Sequence, residues 1–296
     1  AGAPIVKGGS GQAVSAFRSL IEANGGRFLS STDVNKIVVK NGKVTGVIIT
    51  GGEKIEAPSV IASVTPGQLY DRLLSDNSTE TTNEKVNFRH GRGNFQIHYA
   101  LDAPPEWNDP KLSEVALIHL SDGIDAVSKS SNEAERGMLP ETPTICVGQP
   151  TALDPTRCPT GKSILWVQIP DAPSTIKGDA AGIINSGSEW DDEITELFAD
   201  RVESLLKNHI KNFTNIKLQR QCYSPSQLSK LNINLVGGDP YGGACSIDQF
   251  FLWRPFNNSI NNKTVVKNLH HIGASTHPGP GLSGGSGFNL AKRLGA

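Results

Sequence analysis

The chain has 296 residues, of which 37% are apolar and 19% charged, and its formal net charge is -1. These values suit one large or two ordinary globular domains, and they argue against a broad basic surface for nucleic acid. No apolar run reaches the roughly 18 residues of a membrane-spanning helix, and the first residues do not resemble a signal peptide. We therefore expect a cytoplasmic protein whose four cysteines are reduced.

The first 74 residues alternate between helical and extended patterns. Val14, Phe17, Leu20 and Ile21 recur at helical spacing and predict an amphipathic helix over 12–24. Further along, Asn41-Gly42 is typical of a two-residue hairpin turn between two strands. The other elements predicted here are strands at 34–39, 44–50, 54–57 and 59–64 and a helix at 67–74.

A second region follows the polar stretch 75–85. Residues 94–101 alternate apolar and polar side chains, as a half-buried strand does, and 189–210 form the clearest long helix, opened by Trp190. Asp239, Asp248 and Glu203 are expected to be solvated or helix-capping carboxylates. The remaining predictions are strands at 115–120, 144–147 and 163–169 and helices at 121–139 and 225–232.

The tail of the chain carries the most informative pattern. A short strand over 269–272 leads into a Gly- and Pro-rich turn, 273–287, and then into a helix over 288–294. Glycines allow a bulky ligand to approach the backbone closely, and a helix N-terminus attracts an anionic ligand atom. The turn is therefore a candidate ring- or phosphate-binding loop, although a plain glycine-rich loop explains the spacing equally well.

This tail resembles the C-terminal flavin-binding signature of phytoene-desaturase-like FAD-dependent oxidoreductases, in the branch of pyridine nucleotide-disulfide oxidoreductase domain-containing proteins. The likeness is collinear over nearly the whole chain. It rests on the motifs Gly8-Gly9-Ser10, Val34-Asn35-Lys36-Ile37, Ile61–Pro66, Gly91–Phe95, Gly237-Gly238-Asp239, Asp248-Gln249 and Arg254-Pro255. The chain is identified as the C-terminal portion of such an enzyme.

The resemblance implies FAD as the cofactor and a role for individual residues. Val34 would contact the adenosine side, and Ala62 and Ser63 would lie near the pyrophosphate or ribose. Gly273 and Ala274 would approach the pyrophosphate and ribityl chain. Three further residues would reach the pyrimidine edge of the flavin, with the following helix stabilising negative charge there: Gly281, Leu282 and Ser283.

Members of this family begin with a strand, a G-x-G-x-x-G turn and a helix that bind the ADP part of the cofactor. Three glycine clusters, at 8–11, 51–52 and 91–93, have the wrong spacing or context for that unit. The N-terminal unit is therefore expected to be absent, through truncation or fragmentation. Tight FAD binding by this chain alone is not expected.

Two rival chemistries remain open. Gly281–Gly285 fits the G-x-S-x-G elbow of serine hydrolases, with Ser283 as nucleophile, but Pro278 and Pro280 interrupt the strand that an elbow needs. His270, His271 and His277 lack a nearby carboxylate, so no metal site is expected. A non-catalytic remnant that binds a partner or an apolar ligand is a further alternative, and no catalytic base is identified.

The predicted fold is mixed α/β (α+β): an incomplete glutathione-reductase-type FAD domain, 1–74 with 263–296, and a substrate domain, 75–262, with an antiparallel sheet and helices. The predicted function is FAD-dependent oxidation of an apolar small-molecule substrate. Neither nucleic acid nor a transmembrane segment is expected. A second copy of the chain or the absent N-terminal segment would be the protein partner.

Overall fold

The chain forms two compact units in this computed structural model, which describes residues 5–75, 88–256, 262–281 and 284–295. One unit comprises 1–28 and 92–228, and the other comprises 29–91 and 229–296. These boundaries differ from the predicted 74/75 and 262/263. The assignment of one part to cofactor and the other to substrate remains a prediction.

The elements follow the chain in this order. The helices are α1 (Gly11–Ala23), α2 (Ile124–Glu135), α3 (Asp192–Lys207), α4 (Phe213–Ile216), α5 (Pro225–Leu231) and α6 (Gly285–Leu294), with a π-helix at Gln68–Leu73. The strands are β1 (Val34–Lys40), β2 (Lys43–Ile49), β3 (Lys54–Glu56), β4 (Val60–Ala62), β5 (Gly93–Leu101), β6 (Leu117–Leu120), β7 (Met138–Leu139), β8 (Ile145–Gly148), β9 (Ser163–Ala172), β10 (Gly178–Asp179), β11 (Lys217–Tyr223) and β12 (Leu269–His271).

The unit that contains α3 is built on a five-stranded antiparallel sheet in the order β11-β5-β9-β8-β6. Alternate residues of β5, from Phe95 to Leu101, are buried, as the two-residue period predicts. They share one core with the apolar side of α3, where Phe198 contacts Phe95 edge to face at 5.1 Å. The predicted antiparallel sheet with helices is confirmed.

Helix α3 begins later than predicted because Asp191 caps it. Its carboxylate accepts a hydrogen bond from the Ile194 backbone N–H at 2.8 Å, so Trp190 lies before the helix and packs into the core instead. Glu203 was expected to be solvated, which is wrong. Its side chain is buried and its carboxylate accepts hydrogen bonds from Lys217 and Arg220, because α3 lies over β11.

The other unit combines an antiparallel meander, β1-β2-β3, with a parallel pair of strands, β4 and β12. The predicted hairpin turn is confirmed: Asn41 and Gly42 have φ values of 52° and 69°, which suit a right-twisted two-residue turn. Leu69 and Leu73 of the π-helix pack with Ile37 in a core separate from that of the first unit. Within the described ranges, no helix is both long and apolar enough to cross a bilayer.

Candidate functional site

The candidate site is the edge where the two parallel strands end. β12 pairs with β4 in parallel, and the pairing continues past β12 because the Ile272 N–H donates to the Ala62 carbonyl at 2.9 Å. The next residues, Ser63 and Gly273, face each other, since a Cβ on Gly273 would lie 3.9 Å from Ser63. Ligands commonly bind at the carboxyl ends of parallel strands, so this edge is the candidate cofactor site.

The glycine-rich turn leaves its backbone open to a ligand. Gly273, Gly281 and Gly284 have φ values of 103°, 142° and 64°, which L side chains rarely adopt. Among the described residues, a Cβ added to Gly281 or Gly284 would meet no atom within 4 Å beyond its chain neighbours. Ser63 and Ala274 are exposed as well. A bulky planar group can therefore approach the backbone at these positions.

Hydroxyl and amide side chains fasten helix α6 to this turn. The Ser286 and Thr276 hydroxyl oxygens lie 2.6 Å apart, and Thr276 also donates to the Gly273 carbonyl at 2.9 Å. Asn262 donates to both Ser286 Oγ and the His271 carbonyl at 2.9 Å. Gly284 occupies the N-cap position and provides no side-chain cap. The N-terminal turn of α6 is thus held beside the end of β12.

A buried guanidinium organises the loop that packs behind the turn. Arg254 is 1% exposed and donates to five backbone carbonyl groups at 2.5–3.4 Å. Its acceptors are the carbonyl oxygens of Tyr241, Gly243, Ala244, Gln249 and Ala274. Arg254 therefore fixes the position of Ala274 relative to the 241–249 loop.

Asp239 is the anionic counterpart in the same loop. Its carboxylate has no exposed surface and accepts hydrogen bonds from the backbone N–H groups of Gly91, Tyr241 and Gly243 at 2.7–2.8 Å. Burial raises the pKa of Asp239, but the His90 imidazole and these three donors outweigh it and hold the pKa below its ordinary value. The expectation of a solvated Asp239 is wrong, because the loop closes around the carboxylate.

His271, the last residue of β12, is also buried. Its Nε2 lies 2.6 Å from the Val64 carbonyl oxygen, which can only accept, so Nε2 carries the proton. Burial lowers the pKa of His271 to about 4, and the hydrogen bond to Val64 opposes that shift only in part. The neutral ring connects β12 to the chain that follows β4.

An exposed apolar segment lies against the glycine-rich turn. Phe250, Phe251, Leu252 and Trp253 are 37–60% exposed although they are consecutive large apolar residues. The Phe251 ring lies 4.7 Å from the His277 ring, whose Nδ1 is 3.0 Å from the Phe251 carbonyl oxygen. We call residues 250–253 the aromatic segment.

Four of the eight predicted cofactor-binding residues lie at one edge. Ala62 is the last residue of β4 and Ser63 follows it, and Gly273 and Ala274 follow β12. Val34 lies on another sheet, where its carbonyl accepts a hydrogen bond from Arg72 at 3.1 Å. Gly281 follows later in the same turn. Leu282 and Ser283 lie outside the described residues. The alternative prediction of Ser283 as a nucleophile therefore also falls outside them.

Sequence reasoning missed one formal motif and one pair of buried charges. Residues 279–284 read G-x-G-x-x-G and precede α6, but seven residues, 272–278, separate them from β12 instead of a direct strand-to-turn junction. From the sequence, Arg254 was noted only as part of a motif of the resemblance, and Asp239 was also expected to be a solvated or helix-capping carboxylate. Their burial depends on long-range loop packing, which local spacing does not indicate.

The fold agrees with the comparisons with known proteins. The family described as "Flavin containing amine oxidoreductase" matches residues 2–224, and this chain belongs to it. The resemblance to FAD-dependent oxidoreductases is thereby confirmed at the level of the family.

Two curated relatives align with almost the whole chain. Pyridine nucleotide-disulfide oxidoreductase domain-containing protein 2 of Rattus norvegicus is 28% identical over 97% of this chain and 50% of its own length. The zeta-carotene-forming phytoene desaturase of Myxococcus xanthus is 26% identical over 93% of this chain and 49% of its own length. This chain therefore spans about half the length of these relatives.

Solved structures support the fold in the same way. Cyclohexylamine oxidase from Brevibacterium oxydans aligns with a TM-score of 0.56 at 13% identity, over 97% of this chain and 53% of its own. An oxidoreductase from Methanosarcina mazei aligns with a TM-score of 0.54 at 15% identity, over 98% of this chain and 55% of its own. At such identities the likeness concerns the fold alone.

Proposed function

We propose that this chain is part of an FAD-dependent oxidoreductase and provides one wall of its flavin site. The observation that carries the proposal is the junction of Ser63 and Gly273 at the carboxyl ends of the parallel strands β4 and β12. Membership of a flavin-containing family supports it. The open backbone at Gly281 and Gly284, and the positive φ of Gly273, fit a large planar cofactor.

Each part of the wall would have a separate task. Ala62, Ser63, Gly273 and Ala274 would bind the pyrophosphate and ribityl chain, and Val34 would contact the adenosine side. Gly281, with the N-terminal turn of α6, would face the pyrimidine edge of the ring. Bound flavin would supply the hydride acceptor. The positive end of the α6 dipole would then favour negative charge at that edge.

The substrate proposed for the complete enzyme is an apolar small molecule. The aromatic segment 250–253 exposes four large apolar side chains beside the glycine-rich turn. Exposed apolar surface of this kind often marks a binding site. One relative is named as a phytoene desaturase, which agrees with a hydrocarbon substrate.

The flavin wall can be tested on this chain alone, by NMR at millimolar FAD. We expect FAD to shift the backbone signals of four residues: Ser63, Gly273, Ala274 and Gly281. The affinity for FAD should be weak, because the chain covers only part of the family fold. Gly273→Ala should weaken FAD binding at least tenfold by placing a methyl group at the cofactor surface.

Gly51→Ala is the matched control. Like Gly273, Gly51 has a positive φ, 92°, and a Cβ there would meet no atom closer than the 3.9 Å found at Gly273, but Gly51 belongs to the turn between β2 and β3. This variant bears similar backbone strain and should bind FAD like the unaltered chain. Shifts spread over the surface, or equal effects of the two variants, would contradict the proposal.

A further inference from the structure

Helix α1 exposes an apolar face that the described part of its unit leaves uncovered. Among its 13 residues, none is buried. Val14, Phe17, Leu20 and Ile21 are 68%, 65%, 59% and 44% exposed, and their spacing puts them on one side of the helix. We call these four residues the α1 face.

The start of the helix is nevertheless fixed. The Gly8 backbone N–H donates to the Asp154 carboxylate at 2.7 Å, and Gly9 lies against the Arg157 guanidinium. A helix of this length is only marginally stable in water by itself. A fixed helix with an uncovered apolar face is therefore suited to packing against another polypeptide.

The charge of α1 favours a protein partner over a membrane. Its only charged side chains are Arg18 and Glu22, which pair at 2.9 Å, so the helix has no net charge. Helices that lie on anionic membranes carry many Lys and Arg residues on the polar face. The α1 face has the apolar character of a protein interface without that basic flank.

We propose that the α1 face binds the polypeptide that corresponds to the half of the family fold that this chain does not span. The curated relatives and the solved structures all extend over about twice the aligned length. The remaining half is therefore a regular part of the fold and large enough to cover a four-residue face. The interaction needs no flavin, so it stands or falls separately from the proposed cofactor site.

The test uses the half of the rat relative that the alignment does not cover, produced as a separate polypeptide, and titrates it into this chain without FAD. We expect a one-to-one complex. Phe17→Ser and Leu20→Ser should each weaken it about 10- to 100-fold, since each removes one large buried apolar side chain from the interface. Phe17→Leu should retain most of the affinity.

Ile124→Ser is the control, because Ile124 is 84% exposed on α2 of the same unit and should leave the complex unchanged. Circular dichroism checks that each variant keeps its fold. If either Phe17→Ser or Leu20→Ser unfolds the chain, the other variant still tests the proposal. Absence of a complex, or equal weakening by Ile124→Ser, would overturn the proposal. So would light scattering that shows a dimer broken by Leu20→Ser, or flotation of the chain with phosphatidylserine vesicles that Phe17→Ser abolishes.

Discussion

The Asp239 carboxylate is fully buried, and its hydrogen-bond donors come from the backbone around it. Three backbone N–H groups donate to it, and two of them, from Gly91 and Gly243, share Oδ2. In Asp239→Asn, one acceptor oxygen becomes an NH2 group, which leaves at least one backbone donor unsatisfied. We expect a loss of about 2–3 kcal/mol in the free energy of unfolding, measured by urea denaturation.

Asp248→Asn is the comparison for that variant. Asp248 pairs with Arg89 at 2.6 Å, but both side chains are more than half exposed. Exposed ion pairs contribute about 0–1 kcal/mol, so this variant should be nearly neutral. Equal destabilisation by the two substitutions would show that the hydrogen bonds to the Asp239 carboxylate do not stabilise the loop.

His271 gives the fold a defined dependence on pH. Its pKa is about 4 in the folded protein against an ordinary 6.5, because burial disfavours the charged ring. The unfolded chain therefore binds more protons between these values, and stability must rise with pH across that range. As the pH falls from about 6.5 to 4, this residue should remove up to about 3 kcal/mol of stability.

The variant His271→Gln removes that titration. Its free energy of unfolding should change less than that of the unaltered chain between pH 6.5 and 4, although it is less stable at pH 7 through the altered bond to Val64. If the free energy of unfolding of His271→Gln changed with pH in parallel with that of the unaltered chain, burial would not lower the pKa of His271.

At the scale of the element, helix α3 contributes one buried side to the core of its unit. Leu206 is 0% exposed and Leu197 is 41% exposed on the same helix. Leu206→Ala should therefore cost about 2–5 kcal/mol, since it leaves a cavity as well as losing burial. Leu197→Ala should cost about 1 kcal/mol or less by the same denaturation measurement. Similar losses would mean that α3 does not pack as described.

Elements with a strong local pattern were predictable, and those defined by distant partners were not. Asn41-Gly42 predicted its hairpin, and the apolar spacing of α1 and α3 predicted both helices. Strand β11 was missed because it lacks alternating apolar residues. Its side that faces α3 carries Arg220, which pairs with carboxylates of that helix. The exposure of the α1 face could not be predicted either, since amphipathic spacing indicates which residues share a side of a helix but not what covers that side.

At the scale of the whole molecule, Ser63 and Gly273 follow strands that lie far apart in the sequence, so the local pattern alone could not pair them. The glycine-rich turn and the strand before it drew attention to Gly273, and the resemblance placed Ser63 beside it. The 241–254 loop was different. Arg254 and Asp239 become buried only when the chain closes around their charges, and this depends on contacts between residues far apart in sequence.

Because each unit has its own core, we expect the two units to unfold independently. Leu69 lies at 0% exposure in the core of the unit that holds β4 and β12, and Leu206 lies in the core of the unit that holds β5 and β9. If each core stabilises its own unit, Leu69→Ala should accelerate amide hydrogen exchange about 30-fold or more in β1 and β2 while leaving β5 and β9 unchanged. Leu206→Ala should do the reverse. Equal acceleration of both sets of strands by either variant would instead require a single cooperative unit, because only a shared unfolding step can transmit the loss of one core to the other.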